Sequence, residues 1–221
     1  MKKLFFLTLV LSFLIISCAT NRSSNYAITS ILPRDSFVKV EVHLKVTRCQ
    51  EEGGICASNK ALGHGSGVVL ENTKKGAYIL TAGHVCEEDD FKREVEDEGY
   101  EFNMRLEVKN IFGDVYDAEV IAIDNNIDTC IMFAKDLNIK PIRLRRHSKP
   151  DLGEKVYNIA APAAIFDSNM VPILEGRYSG ETSFQIKKDK RTLSVYTIPA
   201  VGGSSGSPIV DRDGVLVGMI H

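Results

Sequence analysis

Short runs in which apolar and polar residues alternate fill most of the chain after residue 36. The run FVKVEVHLKV, from Phe37 to Val46, alternates with period two, which is typical of a β-strand with one packed face and one wet face. Further short, β-branched runs follow between turn-type residues: GSGVVL, GAYILTAGH, MRLEVKNI, YDAEVIAID, TCIMFA, EKVYNIA, VPILEGRYSGE, LSVYTI, SPIVDRDG and GVLVGMI. Roughly eleven short strands at such spacing predict an all-β sandwich or barrel.

Two segments break this pattern. Residues 87–102, EEDDFKREVEDEGYEF, are dense in acidic side chains, and we interpret them as a short helix followed by a loop on a solvated surface. Residues 137–150, LNIKPIRLRRHSKP, interrupt the strand series and are predicted to join two halves of the molecule. No period of about 20 to 50 residues repeats along the chain.

The N-terminus has the pattern of an export signal. MKK supplies a positive start, and the uncharged run Leu4 to Ile16 has the size of a signal-peptide core, which is short for a membrane span. The following IISCAT resembles a bacterial lipobox, at which the signal is cut before Cys18 and that cysteine is acylated. The alternative is ordinary secretory cleavage near Ala19. We therefore expect a signal peptide over residues 1–17, a lipidated tether over 18–35, and a product in the periplasm or at the cell surface, anchored to a bacterial membrane.

Composition narrows the class of protein. The chain has 221 residues, 44% of them hydrophobic and 25% charged, which is enough for one two-layer domain or two small barrels. The net charge of −2 supplies no basic field, so nucleic acid is not an expected partner.

Four cysteines besides Cys18 form an even set in a chain predicted to be exported, which favours disulfides. Cys49 and Cys56 flank the short QEEGGI loop and are candidates for one bridge, in which case Cys86 and Cys130 would pair over a long range. A metal site is the competing interpretation, but the cysteines lack C-x-x-C spacing and the chain lacks H-x-x-x-H. Neither a metal nor a cofactor is expected.

Three short pieces carry residues suited to nucleophilic catalysis. LTAGHVC contains His84, DNNIDTCIM contains Asp124 and Asp128, and AVGGSSGSPIVDRDG contains three serines. A nucleophilic serine needs a neighbouring base to take its proton, and that base needs an acid to hold its tautomer. Each piece lies at the edge of a predicted strand.

Together these pieces resemble a trypsin-like serine peptidase of the chymotrypsin clan, closest in style to bacterial HtrA-type protease domains without PDZ modules. The order His, Asp, Ser is that of this clan. The resemblance covers residues 36–221 and implies two six-stranded antiparallel barrels, the first over about 36–140 and the second over about 141–221. It further implies a substrate-binding edge after the last strand, so the sequence, which ends at His221, predicts a second barrel truncated at its C-terminus.

The resemblance also assigns roles to residues. Aligning G-x-S-G-S-P on this chain places Ser205 at the nucleophile, with Ser204 before it and Ser207 at a glycine position. His84 then corresponds to the general base, because it carries the T-A-G-H context, whereas His64 is expected at the surface. Asp128 corresponds to the acid that orients the base, and Asp124 to a turn residue.

Further expectations concern the surroundings of this triad. The backbone N–H groups of Gly203 and Ser205 would form the oxyanion hole. Pro199 occupies the usual base of the S1 pocket, which argues against trypsin specificity and favours a small or medium apolar P1 residue. A bridge between Cys86 and Cys130 would tie the base strand to the acid strand.

The resulting hypothesis is an exported serine endopeptidase that cleaves polypeptides outside the cytoplasm through an acyl-enzyme. The alternative is a catalytically inactive, protease-like lipoprotein that uses its cleft as a binding module.

Overall fold

The computed structural model describes residues 31–48, 60–87, 101–145, 149–186 and 189–221. Contacts separate the segment Met1–Leu32 from a compact unit, Pro33–His221, to which every strand described below belongs. The predicted signal peptide, Cys18, Cys49 and Cys56 lie outside the described residues. Within the described ranges, no helix is long and apolar enough to span a membrane.

Six antiparallel strands close into a barrel. Their bounds are β1 Phe37–Arg48, β2 Lys60–Asn72, β3 Gly76–Ala82, β4 Glu101–Asn110, β5 Val115–Asp124 and β6 Thr129–Lys135. Their order around the barrel is β1-β2-β3-β6-β5-β4. Because side chains alternate across a strand, Val38, Val40 and Val42 of β1 all point inward and are buried. They belong to one apolar core with residues of the other strands, among them Ile79, Val108 and Met132.

The second half forms a six-stranded sheet. Its strands are β7 Arg143–Leu144, β8 Lys155–Ile159, β9 Ile173–Ile186, β10 Asp189–Tyr196, β11 Pro208–Asp211 and β12 Val215–Met219. Their order is β10-β9-β8-β11-β12-β7. The pair β7 and β12 is parallel, and the other neighbours are antiparallel.

The prediction of an all-β molecule of the trypsin-like double-barrel type is confirmed. The first half is a closed antiparallel barrel as predicted, whereas the second half is a six-stranded sheet that contains one parallel pair. Each of the eleven predicted strand runs overlaps one observed strand. The strand β7 was not predicted, because it has only two residues and lies in the segment interpreted as a connection. Most of the acidic segment 87–102 lies outside the described residues, and its last two residues begin β4.

The register between β3 and β6 positions the candidate site. Ala82, the last residue of β3, pairs with Thr129, the first residue of β6. The chain leaves β3 directly into a single helical turn, α1, Gly83–Cys86, so this turn begins beside the residue that precedes β6. The disulfide predicted between Cys86 and Cys130 is present and joins α1 to β6.

Candidate functional site

His84 and Asp128 form a close, doubly hydrogen-bonded pair. The backbone N–H of His84 donates to Asp128 Oδ1 at 2.8 Å, and His84 Nδ1 lies 2.8 Å from Asp128 Oδ2. Both carboxylate oxygens therefore bind the same residue, His84. The ring tautomer with the proton on Nδ1 is assigned, because a carboxylate can only accept a hydrogen bond. Val85 and Cys86 are buried, which turns the His84 ring outward, where half of its side chain is exposed.

The environment of Asp128 favours its ionised form. Partial burial disfavours the charge, but hydrogen bonds from the backbone and ring of His84 outweigh it and hold the pKa of the Asp128 carboxyl below its usual value. A second imidazole approaches from the C-terminal segment, since His221 Nδ1 lies 3.2 Å from the Asp128 carbonyl oxygen and 3.5 Å from Oδ2. Asp128 is thus a negative centre between two histidines.

The serine-rich segment is a pair of consecutive tight turns. Ser204 N–H donates to Val201 O at 2.9 Å, and Ser207 N–H donates to Ser204 O at 3.0 Å. The third residue of each turn is a glycine with positive φ, +92° at Gly203 and +82° at Gly206. Positive φ at this position is what a type II turn requires. The segment is therefore a folded turn that leads into β11, and not a flexible linker.

Ser66 of β2 fastens this double turn to the barrel. Its backbone N–H donates to Ser205 O at 2.8 Å, and its hydroxyl donates to Gly203 O at 2.8 Å. The same hydroxyl oxygen accepts the backbone N–H of Ala161 at 3.0 Å. Ser66 is fully buried, so these three hydrogen bonds are protected from competing water.

The turn also meets the strand that leads to His84. A Cβ built on Gly206 would lie 2.1 Å from Ser66 O and 2.2 Å from Thr81 Oγ1, so only glycine permits this approach. On its other side, Gly206 N–H donates to Ile220 O at 2.8 Å. Ser205 is thereby held against the end of β3, two residues before His84.

The predicted oxyanion donors, the N–H groups of Gly203 and Ser205, are unengaged within the described part of the chain. Neither N–H donates a hydrogen bond to a described residue. The Ser205 side chain is half-buried, and its hydroxyl makes no hydrogen bond to the described residues, His84 included. The turn thus presents two backbone donors and one unengaged hydroxyl.

Other candidates occupy different positions. Asp124 accepts the backbone N–H of Asn126 at 2.9 Å and so stabilises the turn before β6. His64, expected at the surface, is half-buried and packs against Gly203. Pro199 is exposed in the segment between β10 and the double turn, and its assignment to an S1 pocket stays a prediction.

Sequence reasoning missed two residues of this site. Ser66 carried a weak signal, as a polar residue between glycines at the start of an apolar run, GSGVVL. His221 carried none, since its approach to Asp128 depends on how β12 follows the double turn.

A protein-family model matches most of the chain. The model described as trypsin-like peptidase domain matches residues 65–219, which is more than half of the chain. No curated protein matches the sequence.

Proposed function

Because the chain belongs to the trypsin-like peptidase domain family, we propose that it is a serine endopeptidase with Ser205 as nucleophile, His84 as general base and Asp128 as orienting acid. The observation that carries this proposal is the pairing of His84 with Asp128 beside a turn that holds Ser205. A hydrolase of this family acts on polypeptides, so peptide bonds in proteins are the proposed substrate.

The proposed reaction has two stages. His84 Nε2 takes the proton of Ser205 Oγ as that oxygen attacks the scissile carbonyl carbon. The Gly203 and Ser205 N–H groups stabilise the oxyanion that develops, which lowers the barrier. His84 then gives its proton to the leaving amine as the C–N bond breaks. The resulting acyl-enzyme is hydrolysed by water, with His84 again taking and returning a proton.

In this proposal, the hydrogen bond between Ser205 Oγ and His84 forms when substrate binds. Catalytic hydrogen bonds are often long in an apo enzyme and tighten when substrate binds. Half of the His84 side chain is exposed, so the ring has room for this adjustment. Desolvation of the site by substrate would then strengthen the interaction of His84 with Asp128.

A fluorophosphonate probe tests the nucleophile. The purified protein is expected to be labelled once, and Ser205→Ala should abolish labelling, because the probe bonds to the activated hydroxyl. Ser204→Ala is the matched control, since it removes the neighbouring hydroxyl and should retain labelling. A folded wild-type protein that resists the probe and hydrolyses no protein substrate would instead support the inactive binding module.

We also propose that the protein is exported and lipid-anchored through Cys18, with a small or medium apolar P1 preference. Both rest on sequence features: MKK with its apolar run and IISCAT for the anchor, and Pro199 in place of an acid for the S1 pocket. Metabolic labelling with a fatty acid should mark the wild type and spare Cys18→Ala. A peptide library would measure the P1 preference.

A further inference from the structure

The outer face of the first barrel carries a cluster of one histidine and two glutamates. Glu41 and His43 are two residues apart on β1 and therefore share a face, opposite to the buried valines. Glu107 of β4 pairs directly with Glu41 across the strands. Two paired strands of a closed barrel thus hold the cluster on a rigid scaffold.

Three potential ligand atoms converge in this cluster. His43 Nε2 lies 3.1 Å from Glu107 Oε2 and 3.6 Å from Glu41 Oε2, and all three atoms lie within 4.8 Å of one another. Bonds of about 2.0–2.2 Å to a tetrahedral zinc ion place neighbouring ligand atoms about 3.3–3.6 Å apart. The 3.6 Å separation from Glu41 Oε2 lies within that range, and the 3.1 Å separation from Glu107 Oε2 is slightly shorter.

The outer carboxylate oxygens are already occupied. Lys39 Nζ pairs with Glu41 Oε1 at 2.5 Å, and Arg105 Nη1 pairs with Glu107 Oε1 at 3.0 Å. Lys39 and Arg105 thus engage only the Oε1 atoms, and the Oε2 atoms of both glutamates face His43. Groups that orient ligands from outside in this way are a regular feature of metal sites.

His43 Nε2 needs a partner that the described residues do not supply. This atom is shielded from solvent and makes no hydrogen bond of ordinary geometry, although two carboxylate oxygens surround it. A lone pair facing two carboxylates is electrostatically unfavourable, and a buried polar atom without a partner costs about 1–3 kcal/mol. Either a proton or a metal ion must lie between these atoms.

We propose that Glu41, His43 and Glu107 bind a divalent first-row transition metal, with Zn²⁺ the best match to one imidazole and two carboxylates. A cation equidistant from the three atoms satisfies all of them, whereas a proton on Nε2 lacks a well-aligned acceptor. The three side chains are between 17% and 27% exposed. Three protein ligands would leave the fourth position of a tetrahedral ion for water. The site is independent of the proposed peptidase reaction.

Zinc titration of the chelator-treated full chain by calorimetry tests this proposal. The wild type should bind one equivalent that is lost in His43→Ala, and Glu107→Gln should weaken it at least about tenfold. His221→Ala and Glu119→Gln are matched controls that remove an exposed histidine and an exposed glutamate elsewhere and should retain that equivalent. Circular dichroism checks that each variant is folded, and the near-isosteric Glu107→Gln serves if His43→Ala is not.

Cobalt supplies a second measurement. Co²⁺ bound by the wild type should give visible absorption bands of a four- or five-coordinate ion, and these bands should be missing in His43→Ala. No equivalent bound by the wild type, or equal binding by wild type and His43→Ala, would overturn the proposal. In either case the three side chains form contacts with one another and do not form a metal site.

Discussion

Replacing Gly206 by alanine tests how tightly the nucleophile turn is held, and Gly153 supplies a matched control. The two glycines have nearly the same φ, +82° and +80°, so both substitutions carry a similar backbone strain of about 1–2 kcal/mol. They differ in space, because a Cβ at Gly153 meets nothing within 4 Å, whereas one at Gly206 overlaps Ser66 O and Thr81 Oγ1.

The size of this overlap determines how far the turn must move in Gly206→Ala. Moving the closest contact at Gly206 from 2.1 Å to the 3.0 Å that real Cβ atoms respect requires a shift of the turn by about 1 Å. Such a shift strains the hydrogen bonds from Ser66 to Ser205 O and from Gly206 to Ile220 O. We therefore expect Gly206→Ala to lower the free energy of unfolding by about 1–3 kcal/mol more than Gly153→Ala.

Two assays measure the effects of Gly206→Ala and Gly153→Ala. Urea unfolding with linear extrapolation measures the stability difference. The rate of fluorophosphonate labelling should fall about 100-fold in Gly206→Ala, because a 1 Å misplacement of a reacting group costs about that factor. Gly153→Ala should label at the wild-type rate. Equal stability of the two variants together with unchanged labelling of Gly206→Ala would refute the geometric reasoning.

Three further predictions use the same methods. Ser66→Ala should cost about 2–4 kcal/mol in urea unfolding by leaving one buried donor and one buried acceptor unsatisfied, whereas the exposed hydroxyl of Ser183 should be replaceable at almost no cost. Replacing Cys86 and Cys130 by alanine should lower the free energy of unfolding by about 4 kcal/mol, since the disulfide closes a loop of 44 residues, and added reductant should destabilise the wild type by more than this variant. Because the folded pKa of Asp128 is lowered, its contribution to stability is complete above pH about 4 and is lost as the pH falls further, so Asp128→Asn should flatten the acid limb of the stability profile.

Each of these has a contradicting result. A Ser66→Ala variant as stable as Ser183→Ala would mean that the buried hydroxyl does not fasten the turn. If reductant left the stability of the wild type unchanged, the disulfide would not stabilise the fold as predicted. Identical acid limbs for the wild type and Asp128→Asn would show that other carboxylates dominate acid unfolding.

Local sequence patterns were sufficient for the strands and for the main candidates. The alternation in β1 and the turn residues between later runs depend on neighbouring positions alone, and the observed strands follow them. The pieces around His84, Asp128 and Ser205 were recognisable for the same reason. Each is a short segment at the end of a strand and contains the residue type that the chemistry needs.

Contacts between distant segments were not readable in that way. Ser66 contacts Gly203 across 137 residues, and His221 contacts Asp128 across 93, because barrel closure and sheet packing bring these positions together. The spacing of Glu41 and His43 on one strand face was visible in the sequence. Their meeting with Glu107 depends on the register between β1 and β4.

The sequence by itself determined the all-β class, the strand positions and the segments that carry the candidate triad, because period-two patterning and turn chemistry act over a few residues. The family resemblance pointed to Asp128, but only tertiary structure brings its carboxylate to His84, because the pairing of Ala82 with Thr129 places the two residues side by side. Tertiary structure also decided that the serine-rich segment is a held turn: Ser66 and Thr81, remote in sequence, leave room beside Gly206 for no side chain at all.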